Sequence, residues 1–289
     1  MIPTRSGSAR VQALAFKAYE IEELADVWFF RPLGAVVARA AAALGLTPIQ
    51  VTVAGGLVGM VAGALLYDES LAFAAFALLI VHSVIDSADG QLARMTGQVS
   101  ELGRLLDGVG GYLTHAAIYI AIVAGVLHRG GDLTVLAWAA AAIVSNVVHA
   151  QLYDYHRQSY AAIVIRGESP SPLVSLPSGS WTHRIVAGYE RMQRTFMGGH
   201  EHVMAVLGAG AGGGPVRVED RERYRAQFYW LVRGWNVLGD NTRFYAIGVL
   251  AWAHRVDGFF MIVAVAMNIA LTILWVLQSR ADRRFLAAL

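Results

Sequence analysis

Residues Leu71 to Leu127 read LAFAAFALLIVHSVIDSADGQLARMTGQVSELGRLLDGVGGYLTHAAIYIAIVAGVL, and this stretch decides the fold. It holds two apolar runs, about 71–92 and 105–127, each near the roughly 20 residues that cross a bilayer as helix. A short polar loop with Arg94 and Arg104 joins them, so they are expected as antiparallel neighbours. Asp86 and Asp89 lie near the end of the first run and Asp107 near the start of the second. Carboxylates inside membrane helices are costly and mark function. Three residues apart, Asp86 and Asp89 share a helix face. Asp107 follows Gly103 by one helical turn and can face both across the gap.

Working outward, four more apolar segments are expected to span, at about 49–66, 133–153, 242–256 and 258–277. Only the tight polar stretch Arg255 to Gly258 separates the last two. The composition agrees: 56% of the 289 residues are hydrophobic and 15% charged, against about half and a quarter in soluble domains. Mean hydropathy is +0.49. Cysteine is absent, which excludes disulfides, thiolate metal sites and cysteine nucleophiles. The formal net charge is +2, and nearly all the positive charge is arginine flanking apolar segments, a pattern that does not fit nucleic-acid binding. With six spans, every Lys and Arg except Arg129 and Arg255 falls on the side of both termini, which places them in the cytoplasm. A bacterial cytoplasmic membrane is the expected location, and residues 1–31 do not resemble a secretory signal.

The expected fold is therefore an all-α integral membrane protein with six transmembrane helices, an N-terminal interfacial helix and a cytoplasmic insertion. Segment 1–46 is juxtamembrane and amphipathic, with Trp28, Phe29 and Phe30 suited to the headgroup zone. Residues 47–155 form a four-span core, 156–238 the insertion, and 239–289 the last two spans and tail. The insertion opens with the Pro/Ser-rich residues Ser169 to Ser180 and continues with Arg184, Arg191 and Arg194. A flexible linker is expected at Gly208 to Gly214, followed by a charged helical run, Val218 to Arg225. In the first span, Gly55, Gly59 and Gly63 stand at four-residue steps, which suits close helix packing within the chain or in a dimer.

Three converging carboxylates would repel one another if left alone. Hard oxygen ligands suit Mg²⁺, Mn²⁺ or Ca²⁺, and a metal so held can grip a pyrophosphate during phosphoryl transfer. The small residues Gly90 and Ala93 leave room beside the acidic face.

The spacing of Asp86, Asp89, Gly90, Ala93, Arg94, Gly103 and Asp107 resembles the CDP-alcohol phosphotransferase family, whose pattern is D-x2-D-G-x2-A-R-x8-G-x3-D-x3-D. Thr47 to Thr52 resembles the entry to that family's first span. The resemblance covers about 47–155. It implies that Asp86, Asp89 and Asp107 ligate one or two Mg²⁺ or Mn²⁺ ions. It also implies nucleotide contacts at Thr52, Gly90, Ala93, Arg94 and Gly103. The implied reaction transfers a phosphate-linked group from a CDP-activated donor, such as CDP-diacylglycerol, to an alcohol and releases CMP. It serves phospholipid or sphingolipid synthesis, in a homodimer within membrane lipid. Gly111 departs from the pattern, standing where the family has a fourth aspartate assigned to a second metal and to acceptor deprotonation.

His115, one turn past Gly111, is a candidate base in its place, against the alternative of an ordinary buried histidine. Asn146, His149 and Tyr153 form a polar stripe ending near Arg157, for acceptor recognition or interhelical hydrogen bonding. Arg243 is a candidate phosphate anchor, because its fork matches phosphate oxygens. His200 and His202 are expected on the surface. The arginine-rich insertion favours an anionic acceptor of inositol type. Two rival classes remain: a silent relative that binds nucleotide or lipid without turnover, and a transporter, whose carboxylates would sit at the bilayer midplane.

Overall fold

The structure is a computed structural model describing residues 19–168, 199–212 and 214–288. All regular structure among them is helical. The helices are α1 (Arg31–Ala43), α2 (Pro48–Leu65), α3 (Ala72–Thr96), α4 (Glu101–His128), α5 (Thr134–Tyr160), α6 (199–211), α7 (Val218–Trp235), α8 (Asp240–Trp252) and α9 (Met267–Ala287). They fall into two compact units. The first takes the described residues up to Ile143 together with Asp240–Ala264. The second takes those of Val144–Gly239 and Val265–Leu289.

In the first unit, local sequence sets the helix ends. Thr47 and Gln50 form a reciprocal capping box at the start of α2, with Pro48 in the first turn. Gly97, at φ +69°, ends α3, and Ser100 caps α4 by accepting from Gly103 N at 3.0 Å. The short connection holds α3 and α4 side by side.

The glycine stripe of α2 is consumed inside the chain. A Cβ at Gly55 would stand 3.0 Å from Ile85, one at Gly59 would meet His82 and Thr114, and one at Gly63 would lie 2.7 Å from Ile118 N. Glycine lets α2 approach both α3 and α4 with dispersion contact along the backbone. Gly34 of α1 seats similarly on Ser87 and Gln91 of α3, and Gln91 Nε2 donates to Arg31 O at 3.1 Å.

Five helical stretches are long and apolar enough to cross a membrane: Pro48–Leu65, Glu69–Thr96, Glu101–His128, Thr134–Arg166 and Val256–Ala287. The segment expected as a fifth of six spans is α8, only 13 residues long. At 1.5 Å per residue this is about 20 Å, short of the roughly 30 Å hydrocarbon core. The final span is longer than expected because the helix continues past residue 277 to Ala287. The helix from the fourth apolar segment likewise runs on through a π turn to Arg166. Of the N-terminal segment, Asp26–Phe30 forms a π turn leading into α1, with Trp28 exposed.

In the second unit, residues 208–211, expected as flexible linker, belong to α6. Val203 and Leu207, one turn apart, are both buried, and their burial overrides the roughly 1 kcal/mol that each glycine costs a helix. Gly212, at φ +56°, then leaves the helix. The charged run from Val218 is the first half of α7.

His200, expected on the surface, is 2% exposed. Its Nδ1 lies 2.7 Å from Asp282 Oδ1 and its Nε2 2.9 Å from the Tyr224 hydroxyl. Gln278 Nε2 donates to Asp282 at 3.0 Å, and Trp235 Nε1 donates to Gln278 at 3.3 Å. These partners lie far along the chain, so the local His-Glu-His pattern gave no sign of them. Burial, with the nearby Tyr155 and Asp282, pushes the Tyr224 phenol well above its usual range. The Pro/Ser-rich loop from 169 and Arg184, Arg191 and Arg194 lie outside the described residues.

Candidate metal and nucleotide site

The α3–α4 hairpin brings Asp86, Asp89 and Asp107 together. One carboxylate oxygen from each can be chosen so that all lie within 4.8 Å of one another. Asp86 and Asp107 are exposed and Asp89 is buried. Oxygens sharing an octahedral Mg²⁺ at about 2.1 Å stand about 3 Å apart in cis and about 4.2 Å in trans. The oxygens, within 4.8 Å of one another, come near this spacing, and the all-carboxylate donor set suits a hard cation.

The surroundings leave space. A Cβ at Gly108 or Gly111 would meet nothing within 4 Å, while one at Gly90 would come 3.3 Å from Arg94 Nη1. Ala93, Arg94 and Gly103 are half-buried around this face. Thr52 is buried, and its hydroxyl donates to Pro48 O at 3.0 Å within its own helix. Its proton is therefore already committed.

His115 sits one turn beyond Gly111, and its Nδ1 lies 2.9 Å from Gly111 O. A carbonyl accepts, so Nδ1 carries the proton. Nε2 faces Asp240 Oδ1 at 3.4 Å, and the ring stacks on Phe244. Asp240 opens α8 and also takes Arg243 Nη1 at 2.9 Å. Arg243 is 1% exposed, and its Nε and Nη2 meet no acceptor among the described residues. Buried donors without partners cost about 1–3 kcal/mol each, which makes them candidates for a ligand's oxygens. Asn241 Nδ2 ties the same helix start to Glu23 Oε2 at 2.9 Å and to Asp26 at 3.3 Å.

The polar stripe of α5 behaves differently. His149 Nε2 lies 3.0 Å from Asn268 Oδ1, and Asn268 donates to Ser145 at 2.7 Å. Arg157 donates to the Tyr153 hydroxyl at 2.7 Å and to Asn236 at 3.1 Å. Interhelical bonding within the second unit accounts for these two side chains. Asn146 Oδ1 has no hydrogen-bond partner among the described residues.

Arg243 and His115 stand out in the sequence, whereas the carboxylate between them, Asp240, does not. An Asp followed three residues later by Arg at a helix start is readable as a local pair. Its link to His115, 125 positions earlier, is not.

Residues 45–170 match the model of the CDP-alcohol phosphatidyltransferase family. The chain carries a domain of that family. The matched region contains α2 to α5, and so all three clustered aspartates. Archaetidylinositol phosphate synthase of Pyrococcus horikoshii is 36% identical over 109 residues, which cover 38% of this chain and 57% of the relative. The chain thus spans little more than half of that relative's length. Asp240 and Arg243 lie beyond the part matching the CDP-alcohol phosphatidyltransferase model. With five apolar helices of spanning length and this domain, the chain is an integral membrane protein.

Proposed function

We propose that this protein is a divalent-metal-dependent transferase of lipid synthesis. It moves a phosphate-linked group from a CDP-activated donor to an alcohol and releases CMP. The observation that carries the reading is the convergence of Asp86, Asp89 and Asp107 within 4.8 Å on adjoining helices.

In this reading the three aspartates hold Mg²⁺ or Mn²⁺. When bound, the ion offsets the charge of the donor pyrophosphate and of the leaving phosphate. Gly90 and Gly103 keep α3 and α4 slim where the cytidine packs, and Ala93 and Arg94 border that space. Arg243 offers Nε and Nη2 to a phosphate of the acceptor or donor; a guanidinium fork suits two such oxygens. An inositol-type acceptor, with or without a phosphate, is supported by this open arginine and by the similarity to the Pyrococcus archaetidylinositol phosphate synthase. Asn146 is kept as a secondary candidate for the acceptor.

In this reading the site and both termini face the cytoplasm, the side that carries most of the positive residues, and α8 is a short sixth membrane element. The homodimer belongs to the proposal too, and it must use a surface other than the α2 glycines, which are filled by α3 and α4.

The test is CMP release by purified protein with CDP-diacylglycerol and Mg²⁺ or Mn²⁺. The acceptors are inositol, inositol phosphate, glycerol phosphate, serine and ceramide. Metal-dependent CMP release with one acceptor, abolished in Asp107→Asn, is expected. No release with any acceptor, despite cation binding, would favour a silent nucleotide- or lipid-binding relative.

A further inference from the structure

Transfer to an alcohol needs a group that takes its proton. The three clustered carboxylates are committed to the cation in the proposed function, on which this inference rests. Along α4, Asp107, Gly111 and His115 follow at four-residue steps on one face. Gly111 supplies no side chain, and the space before it is open. Helical side chains lean toward the N-terminus, and His115 accordingly reaches back to Gly111 O. Its other nitrogen points at Asp240 Oδ1. Nδ1 donates to that carbonyl, while Nε2 stands at ion-pair distance, 3.4 Å, from the carboxylate oxygen without a hydrogen bond.

Asp240 is held from two sides through one oxygen. Arg243 Nη1 and His115 Nε2 both address Oδ1. No hydrogen bond engages Oδ2 among the described residues, and the side chain is 61% exposed. We propose that Asp240 is the general base of the transfer, with His115 and Arg243 as positioning residues. Asp240 Oδ2 takes the proton of the acceptor hydroxyl as that oxygen bonds to the phosphorus bearing the donor group. The bond from this phosphorus to the bridging oxygen breaks, its electron pair leaves with CMP, and the proton passes from Asp240 to water. The base thus comes from α8, a helix far along the chain from the acidic hairpin. The charged and titratable groups around it are Arg243 on α8, His115 on α4 and His82 on α3, with Glu23 and Asp26 reaching neighbouring Asn241.

The experiment compares wild type, Asp240→Asn, His115→Gln and the double variant Asp240→Asn/Gly111→Asp. It follows CMP release from CDP-diacylglycerol with the acceptor that wild type uses, across pH. Cation binding and thermal melting in detergent check that each variant folds. Asp240→Asn is expected to lower kcat by about 10²–10⁴-fold at nearly constant KM. His115→Gln keeps a donor toward Asp240 and is expected to lose less than about 10-fold. Asp at 111 falls into open space on the same face, and the double variant should regain at least about 10-fold over Asp240→Asn. Wild type without turnover would sink the transferase reading itself. An active wild type with a folded Asp240→Asn within about 3-fold of it, or with the large loss at His115→Gln instead, overturns Asp240 alone.

Discussion

Two polar clusters in this chain have opposite characters. In the second unit, His200, Asp282, Gln278 and Tyr224 pair donors with acceptors at 2.7–3.0 Å, and His200, Gln278 and Asp282 are 2–4% exposed. In the first unit, three groups of like charge converge within 4.8 Å, two of them exposed. A satisfied buried network rigidifies a fold. Crowded acidic groups raise the energy of the unliganded protein and lower it when a cation arrives. The first cluster is built to hold helices, the second to hold a ligand.

Substitution should separate these roles. Asp107→Asn leaves a volume-matched side chain but removes a third of the anionic donor set. Losing several kcal/mol of charge stabilisation corresponds to a fall in CMP release on the order of 10³-fold. The melting temperature without metal should hold or rise, since repulsion is relieved. A loss of stability equal to the loss of activity would erase the distinction between the clusters. Chelating the divalent cation with EDTA should abolish release in wild type and restore it on adding Mg²⁺ or Mn²⁺. Activity that survives exhaustive chelation would break the metal assignment.

Asp282→Asn should do the reverse. It removes one partner of a buried pair, a change worth about 3–5 kcal/mol when the other charge is stranded. The weaker acceptor left for His200 Nδ1 brings the expected loss to about 2–3 kcal/mol. Thermal melting in detergent reads this, while the Mg²⁺ concentration giving half-maximal activity should be unchanged. A shifted metal requirement would mean the two clusters do not act independently.

A smaller effect belongs to the α2 glycines. Gly63→Ala brings a Cβ to 2.7 Å from Ile118 N, backbone that cannot step aside. Overpacking of this kind costs about 1–3 kcal/mol. Gly63→Ala should lower thermal stability without a separate effect on dimerisation; dissociation of an otherwise stable protein would move the stripe to a subunit interface.

The same contrast explains which features are legible in the sequence alone. The acidic hairpin was legible because its parts are local: apolar runs of spanning length, Gly97 and Ser100 at the turn, and carboxylates spaced by helical geometry over 22 positions. The glycine stripe was legible as a packing device for the same reason. His200 was not, because Asp282 and Tyr224 come from other helices and nothing around His-Glu-His announces them. Nor was the helicity of 208–211, where tertiary burial of Val203 and Leu207 overrides glycine's local preference. Asp240 was hidden in a third way. Its pair with Arg243 is local, but its meaning depends on His115, and only packing of α3 and α4 against α8 brings those residues together.

Thr52 gives the smallest and most discriminating case. The resemblance places it beside the nucleotide, yet its hydroxyl donates to Pro48 O one turn back, as threonines in apolar helices commonly do. A proton already committed to the backbone cannot also be donated to cytidine; only the oxygen's remaining lone pair could serve. Thr52→Val keeps the shape and removes both. If the hydroxyl serves the helix, KM for the CDP donor should change less than about 3-fold, with a stability loss near 1 kcal/mol. A rise of about 10-fold or more in KM at constant kcat would instead put about 1.4 kcal/mol of nucleotide binding on that lone pair. The ligand-holding region of α2 would then begin nearly a turn before Gly55, on a helix whose other small residues are spent on packing.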